Sequence, residues 1–157
     1  MLGFFRADED AFVKELMSSN INIDKLKKYI ANGVNINDVD EKGRNYLFFF
    51  AAKKNFNAIK VLISLGIDMY KEDKLGKTVL SDACEKYDFM MIKFLLDNGF
   101  DGNRKNSAGR TILQDCVLLG NDKVFQILLN YNLDFDIKDS DGRNVLFDAI
   151  ENGNLET

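Results

Sequence analysis

Apolar residues recur along this chain at the spacing of one helical face. The spacing is regular at Ile59, Leu62 and Ile63, at Ile92, Leu95 and Leu96, and at Phe125, Leu128 and Leu129, and looser at Leu26, Tyr29 and Ile30. Residues three and four positions apart lie on the same side of an α-helix. The pattern therefore predicts a series of helices, each with a single apolar stripe.

The chain also repeats itself at an interval of 33 residues. The positions that mark this interval are Gly43, Gly76, Gly109 and Gly142. The segments around them are alike: Asp-Glu-Lys-Gly-Arg, Asp-Lys-Leu-Gly-Lys, Asn-Ser-Ala-Gly-Arg and Asp-Ser-Asp-Gly-Arg. A fixed period of this length is typical of proteins built from stacked supersecondary units.

Start and stop signals at the same interval bracket one helix per repeat. The predicted stops, where glycine or asparagine adopts the left-handed conformation, are Gly33, Gly66, Gly99 and Asn132. The predicted starts, where a short side chain accepts hydrogen bonds from the first N–H groups, are Asn22, Asn55, Asp88, Asn121 and Asn154. A preceding helix in each repeat carries Leu47, Leu80, Leu113 and Leu146 near its beginning.

With these features the sequence resembles the ankyrin-repeat family over nearly its whole length. The segments at 59–68 and 91–101 are similar to the second helix and turn of that family. The resemblance implies an all-α solenoid of stacked antiparallel helix pairs with projecting β-turn or hairpin loops. Where the family usually has Thr-Pro-Leu-His, this chain has Asn45-Tyr-Leu-Phe, Thr78-Val-Leu-Ser, Thr111-Ile-Leu-Gln and Asn144-Val-Leu-Phe. Without that proline and histidine, which links adjacent turns in the family, we expect a less stable stack.

We expect a single domain over residues 1–157, made of several units. Residues 8–39 form an N-terminal cap repeat, residues 40–72, 73–105 and 106–138 form full repeats, and residues 139–157 form a partial C-terminal repeat. In that last repeat we expect Val145, Leu146, Ala149 and Ile150 to cover the stack, with Asp148 and Glu151 in water.

Composition narrows the function. The net charge of −4 disfavours nucleic acid as a partner, and no apolar run is long enough to span a bilayer. The absence of a signal peptide favours a cytoplasmic protein, or one inside a host cell if it is a secreted effector. We expect a monomer that binds no nucleic acid, membrane or cofactor.

Catalytic chemistry has little support in the sequence. Histidine is absent, and Cys84 and Cys116 are interpreted as small buried core residues. The carboxylate pairs Asp139–Asp141 and Asp134–Asp136 could form an acid–base pair or bind calcium, but the spaced oxygen ligands of a calcium loop are missing. The repeat interval explains Asp68, Asp101 and Asp134 as turn residues without any chemistry.

In the ankyrin family, partners usually touch the turn tips and the exposed face of the first helices. Carried over to this sequence, the resemblance implies a partner-binding surface on Arg44, Lys53, Leu75, Lys77, Glu85, Lys86, Arg110, Leu118, Leu119, Arg143 and Glu151. We predict an apolar contact centred on Leu118, Leu119 and Leu75, although Leu119 packed under the next turn is an equal alternative. The basic row formed by Arg44, Lys77, Arg110 and Arg143 is either a ridge for an acidic segment or, as we favour, solvated.

These observations favour a non-enzymatic module that binds a partner protein through its turn tips and concave first-helix face. The alternatives are a regulatory array belonging to a larger enzyme or effector, and a neutralising protein of the inhibitor or immunity type. The sequence does not identify the partner.

Overall fold

Nine α-helices make up the regular secondary structure of residues 7–151, the part of the chain that a computed structural model describes. The chain divides into two compact units between Lys71 and Glu72. The first unit contains α1 (Ala7–Leu16), α2 (Ile23–Ala31), α3 (Tyr46–Ala52) and α4 (Phe56–Ser64). The second contains α5 (Val79–Glu85), α6 (Phe89–Asp97), α7 (Ile112–Leu118), α8 (Asp122–Leu128) and α9 (Val145–Glu151).

The helices pack as pairs within each unit. In the first unit α1 packs on α2 and α3 packs on α4. In the second, α5 packs on α6 and α7 on α8, while α7 also contacts α5 and α9, and α8 contacts α6. This arrangement, with no strand among the described residues, confirms the all-α repeat architecture predicted from the 33-residue interval.

The apolar stripes form the core of each unit. Ile59 and Leu62 of the first unit are fully buried, as are Ile92, Leu95 and Leu128 of the second. Burying a side chain of this size stabilises the fold by about 2 kcal/mol. The predicted stripes are therefore confirmed at these positions. Leu129, also predicted to lie on a stripe, is 49% exposed, because α8 ends at Leu128 and Leu129 is its C-cap.

The predicted start signals are confirmed for every second helix that the structure describes. The side chains of Asn22, Asn55, Asp88 and Asn121 each accept a hydrogen bond from the backbone N–H three residues later. Each bond satisfies an N–H group that has no partner inside the helix. Asn154 lies outside the described residues.

Two first helices begin with a capping box in place of the family's proline turn. Thr78 caps α5 together with Ser81, and Thr111 caps α7 together with Gln114. Gln114 occupies the histidine position of the family motif, and its Nε2 donates to the backbone carbonyl of Arg143 at 2.9 Å. Glutamine therefore restores, at this repeat, the link between neighbouring turns that we had expected to be missing.

The helix stops follow the prediction at three positions and depart from it at the fourth. Gly33, Gly66 and Gly99 have φ of +104°, +84° and +92°, whereas Asn132 does not adopt a positive φ. Helix α8 ends early, and the Nδ2 of Asn130 donates to the carbonyls of Gln126 and Ile127 at 3.0 and 3.2 Å. The Asn130 side chain satisfies the free carbonyls, so a left-handed residue is not required there.

The burial predicted for α9 is wrong at several positions. Leu146 and Ile150 are 57% and 61% exposed, while Asp148 is only 1% exposed. The Oδ2 of Asp148 accepts a hydrogen bond from Gln114 at 3.2 Å, and its Oδ1 lies 3.9 Å from the Arg143 guanidinium. Asp148 is therefore turned towards α7, which leaves the apolar side of the same helix uncovered within the described residues.

One loop position takes the left-handed conformation in three successive repeats. Lys54, Tyr87 and Gly120 each join a first helix to a second, with φ of +54°, +55° and +63°. Side chains with a Cβ adopt this region at a cost of about 1 kcal/mol or more, and glycine adopts it freely. Lys54 and Tyr87 are consequently strained where Gly120 is not.

We expect Lys54→Gly to raise the free energy of unfolding by about 1 kcal/mol, because it removes this strain. Gly120→Ala is the matched change in the opposite direction. An added Cβ would meet no atom within 4 Å, so backbone strain alone should lower the free energy of unfolding by a similar amount. Urea denaturation followed by circular dichroism measures both changes. Destabilisation by both substitutions would contradict the interpretation.

Candidate partner-binding surface

Each projecting turn is held by an aspartate or asparagine at its first position. One side-chain oxygen accepts hydrogen bonds from the N–H groups two and four residues later, at distances between 2.8 and 3.0 Å. The residues in this role are Asp40, Asp73, Asn106 and Asp139. Each also donates its own N–H to the carbonyl four residues later. The turn backbone is therefore satisfied internally.

The role of these turn anchors was not predicted from the sequence. The signal was present, since each of the four aligned segments begins with Asp or Asn three residues before the turn glycine. A short side chain with an oxygen two bonds from Cβ is suited to a bond with the nearby backbone. Asp or Asn recurs at this position every 33 residues for the same physical reason as at the helix starts, because its side chain accepts hydrogen bonds from nearby backbone N–H groups.

Neighbouring turns of the second unit are joined by further hydrogen bonds. A carboxylate oxygen of Glu72 accepts from the N–H of Ser107 at 2.8 Å, and Ser140 donates its hydroxyl to the carbonyl of Ala108 at 3.2 Å. These bonds add to the Gln114 link described above. The turns of this unit are therefore held in place by hydrogen bonds within the chain.

The predicted basic row is paired within its own repeats. Arg44 lies 2.8 Å from Asp40, Lys77 lies 2.6 Å from Glu85, and Arg110 lies 2.7 Å from Asp115. Arg143 lies 3.3 Å from carboxylate oxygens of Asp139, Asp141 and Glu151. An acidic segment that used this row would have to share or replace these ion pairs.

The carboxylates around the basic row respond to different surroundings. Burial raises the pKa of Asp115, and the hydrogen bond from Arg110 only partly offsets that effect. The backbone N–H of Arg143, followed by that of Asp141 and the Arg143 charge, holds the pKa of Asp139 below its usual value. The turn anchor Asp139 is therefore stabilised as a carboxylate.

The remaining charged candidates also have internal partners. Lys53 lies over the ring of Phe49, with its Nζ 5.1 Å from the ring centroid. Lys86 lies 2.6 Å from Asp82, one helical turn earlier. Lys77 and Glu85, both predicted to contact a partner, are brought together by the structure, and so are Arg143 and Glu151.

The apolar candidates are exposed, but they lie in two places. Leu75, Leu118 and Leu119 are 76%, 41% and 54% exposed, so Leu119 is not enclosed under the next turn. Leu118 and Leu119 are at the C-terminal end of α7, whereas Leu75 is in the turn before the N-terminal end of α5. Since α5 and α7 are equivalent helices of adjacent repeats, these positions are at opposite ends of the helix layer.

Further exposed apolar residues, missed by sequence reasoning, lie at the same end as Leu118 and Leu119. Tyr87 and Met90, in the loop from α5 to α6 and the first turn of α6, are 53% and 70% exposed. Their equivalents in the next repeat are Gly120 and Lys123. A comparison of repeats at these positions would have shown apolar side chains where other repeats carry small or polar ones.

The two cysteines are buried in the second unit, as predicted. A hydrogen bond with the Cys116 sulfur, together with burial, raises the pKa of the Cys84 thiol well above its usual value. A thiol with a raised pKa is largely protonated at neutral pH and is a poor nucleophile. Their location supports a packing role.

The acidic pairs noted in the sequence are used in the turns. Asp139 and Asp141 both lie beside Arg143, and the Oδ1 of Asp134 accepts from the N–H of Asp136 at 2.9 Å. Among the residues that the structure describes, no group of three or more Cys, Asp or Glu side chains is placed to hold a metal ion.

Stacked helix pairs, anchored turns and an exposed first-helix end define a helical repeat protein with a preformed surface. The chain matches the family described as ankyrin repeats in three copies, over residues 11–106 and 83–157. It belongs to the ankyrin-repeat family, whose members are generally protein–protein interaction modules. A comparison with curated proteins finds no match to this chain. Within residues 7–151, every helix is too short or too polar to cross a membrane.

We expect Asp73→Ala to lower the free energy of unfolding by about 1 to 2 kcal/mol, because two backbone N–H groups lose their acceptor. Asp73→Asn should retain most of the stability, since Asn106 holds the equivalent turn through the same two bonds. Hydrogen exchange at the Leu75 and Lys77 amides measures the local effect. Equal protection of both amides in wild type and Asp73→Ala would rule out the anchor role.

Asp139 makes stability depend on pH in acid solution. Its lowered pKa means that the unfolded chain binds a proton more readily, so the contribution is present at neutral pH and is lost as pH falls below about 4. We expect Asp139→Asn to reduce the loss of stability in this range, as measured by urea denaturation at a series of pH values. Asp141→Asn controls for the removal of one carboxylate beside Arg143. An identical acid profile for wild type and Asp139→Asn would contradict the assignment.

Proposed function

We propose that this chain is a non-enzymatic binding module that holds one partner protein on its turn tips and on the exposed ends of its first helices. In the first unit the proposed contact residues are Arg44 and Lys53. In the second they are Leu75, Lys77, Glu85, Lys86, Arg110, Leu118, Leu119, Arg143 and Glu151. The proposal is for a monomer that uses no cofactor.

The observation that carries this proposal is the exposed pair Leu118 and Leu119 at the end of an ordered helix. Adjacent apolar side chains that are exposed together on a folded protein are typical of a surface that is covered on binding. The backbone beneath them is fixed, because Leu119 caps α7 and the neighbouring Asn121 caps α8. A surface that is already ordered loses little conformational entropy when it binds.

Internal ion pairs favour a contact in which charge surrounds an apolar centre. Lys77, Arg110 and Lys86 are each held by a carboxylate of their own repeat, so their guanidinium and ammonium groups occupy defined positions. An apolar centre with a polar rim is the usual anatomy of a protein interface. Charges held in place at the rim select among partners more than they add affinity.

Affinity capture tests the proposed contact with wild-type protein beside a Leu118→Arg/Leu119→Glu variant. We expect the wild type to retain a partner and the variant to lose at least about tenfold in affinity for it, since charge replaces the apolar centre. A matched control places the same charges at Leu146 and Ile150, which are also exposed.

Circular dichroism establishes that both variants keep the helical content of the wild type. Equal retention of the partner by the wild type and by both variants would refute the proposed contact centre. Loss of the partner only in the Leu146→Arg/Ile150→Glu variant would move the contact to α9.

A further inference from the structure

We consider the four most exposed apolar side chains at the loop end of two adjacent repeats in the second unit. They are Tyr87 and Met90 from the α5–α6 connection and Leu118 and Leu119 from the end of α7, and we call them the loop patch. The two connections are joined directly, because the Nδ2 of Asn121 donates to the carbonyl of Cys84 at 2.9 Å. Helices packed in adjacent repeats are about 10 Å apart, within the reach of one short peptide segment.

Tyr87 places a large, exposed ring at a loop position where the backbone is left-handed. Its φ is +55°, in the region that is unfavourable for a side chain with a Cβ, and more than half of its surface is exposed. Glycine occupies the same position in the next repeat, with φ of +63° at Gly120. The ring therefore adds strain to the backbone without the burial that would offset it. Lys54 has the same conformation in the first unit, so the left-handed backbone belongs to this loop position, and what distinguishes Tyr87 is a large exposed ring.

Gly120 leaves its backbone surface exposed next to Tyr87. A Cβ built on Gly120 would meet no other atom within 4 Å, so the backbone surface there is uncovered. Leu119 is the neighbour of Gly120 in the chain, and Tyr87 occupies the position equivalent to Gly120 in the preceding repeat. A partner side chain can rest on the Gly120 backbone with apolar groups on both sides.

The charges nearest to the loop patch are engaged within the repeat. Glu85 is paired with Lys77 and Lys86 with Asp82, each at 2.6 Å. Asp88 accepts from the N–H of Met91 as the cap of α6. Asp122 and Lys123 add one charge of each sign in the first turn of α8. The surroundings are thus close to electrically neutral, which fits burial of apolar surface better than charge attraction.

We propose that the loop patch is the docking site for an uncharged apolar segment of a partner protein, one that presents adjacent aliphatic or aromatic side chains to Tyr87, Met90, Leu118 and Leu119. One such side chain lies over Gly120. This proposal rests on the proposed binding function and specifies which surface is used and what chemistry it recognises. It separates the loop patch from Leu75 and the turn tips, at the other end of the helix layer.

The test uses random peptides displayed on phage and selected against the complete chain. We expect the selected peptides to carry adjacent apolar residues and few charges. Each leading peptide is then synthesised, and its dissociation constant is measured by calorimetry with wild type and variants. The expected change in affinity between about 50 and 500 mM NaCl is less than twofold.

The variants use residues that this chain already carries at equivalent positions. Tyr87→Gly introduces the residue found at Gly120, and Met90→Lys introduces the residue found at Lys123. Both residue types therefore already occur at the equivalent positions of the next repeat. Each should weaken peptide binding by about tenfold. Tyr87→Gly should also leave the protein at least as stable as wild type, which distinguishes loss of contact from loss of fold. Leu146→Ser, at an exposed position of α9 outside the proposed contact residues, is the matched control and should leave binding unchanged.

Several outcomes would overturn the inference. These are the selection of no peptide, the selection of charged peptides whose binding is lost at high salt, and equal binding of peptides by wild type, Tyr87→Gly and Met90→Lys. The broader binding function is judged separately. A captured partner that depends on Leu118 and Leu119, but not on Tyr87 or Met90, would support that function while rejecting the loop patch.

Discussion

The burial of one apolar stripe per helix against a neighbouring helix is the interaction on which each unit depends. The described helices are seven to ten residues long, as in α3 and α1, and helices of this length are not stable alone in water. Fully buried residues such as Ile59 in the first unit and Ile92 in the second provide the missing stabilisation. Because each helix needs a partner on its apolar side, the helix pair is the smallest structural unit of this chain, and neighbouring pairs stabilise it further.

Helices this short have many ends, and every end exposes backbone groups that need partners. In this chain aspartate and asparagine meet most of that need, as caps at Asn55 and Asp88 and as turn anchors at Asp40 and Asp73. The same chemistry appears at both kinds of position because a short side chain with an oxygen can reach only nearby N–H groups. The acidic composition of the chain is partly a consequence of this use and does not by itself indicate a catalytic or metal-binding site.

Features common to all repeats were predictable from the sequence, and features particular to one repeat were not. The second-helix starts, the turn glycines and the buried stripes recur at every interval, so a physical reason at one position applies to its equivalents. The helix stop predicted at Asn132 was wrong because the side chain of Asn130 caps the end of α8 instead. The exposure predicted for Asp148 was wrong because its burial depends on Gln114 and Arg143, which come from other parts of the unit. No periodicity carries that information.

The same distinction bears on where function lies in a repeat protein. Positions shared by all repeats are explained by folding alone, so positions at which the repeats differ are the stronger indication of a binding role. Lys77 and Arg143 reach a glutamate eight residues later, whereas the equivalent residue after Arg110 is Leu118, and Arg110 turns to Asp115 instead. One exchange of glutamate for leucine thus redirects an ion pair and leaves an apolar side chain in water. Tyr87 departs from its equivalents Lys54 and Gly120 in the same direction, with an exposed aromatic ring on the adjacent loop. These two departures place apolar side chains in water on neighbouring loops, and that juxtaposition is the observation behind the proposed docking of one partner at the loop patch.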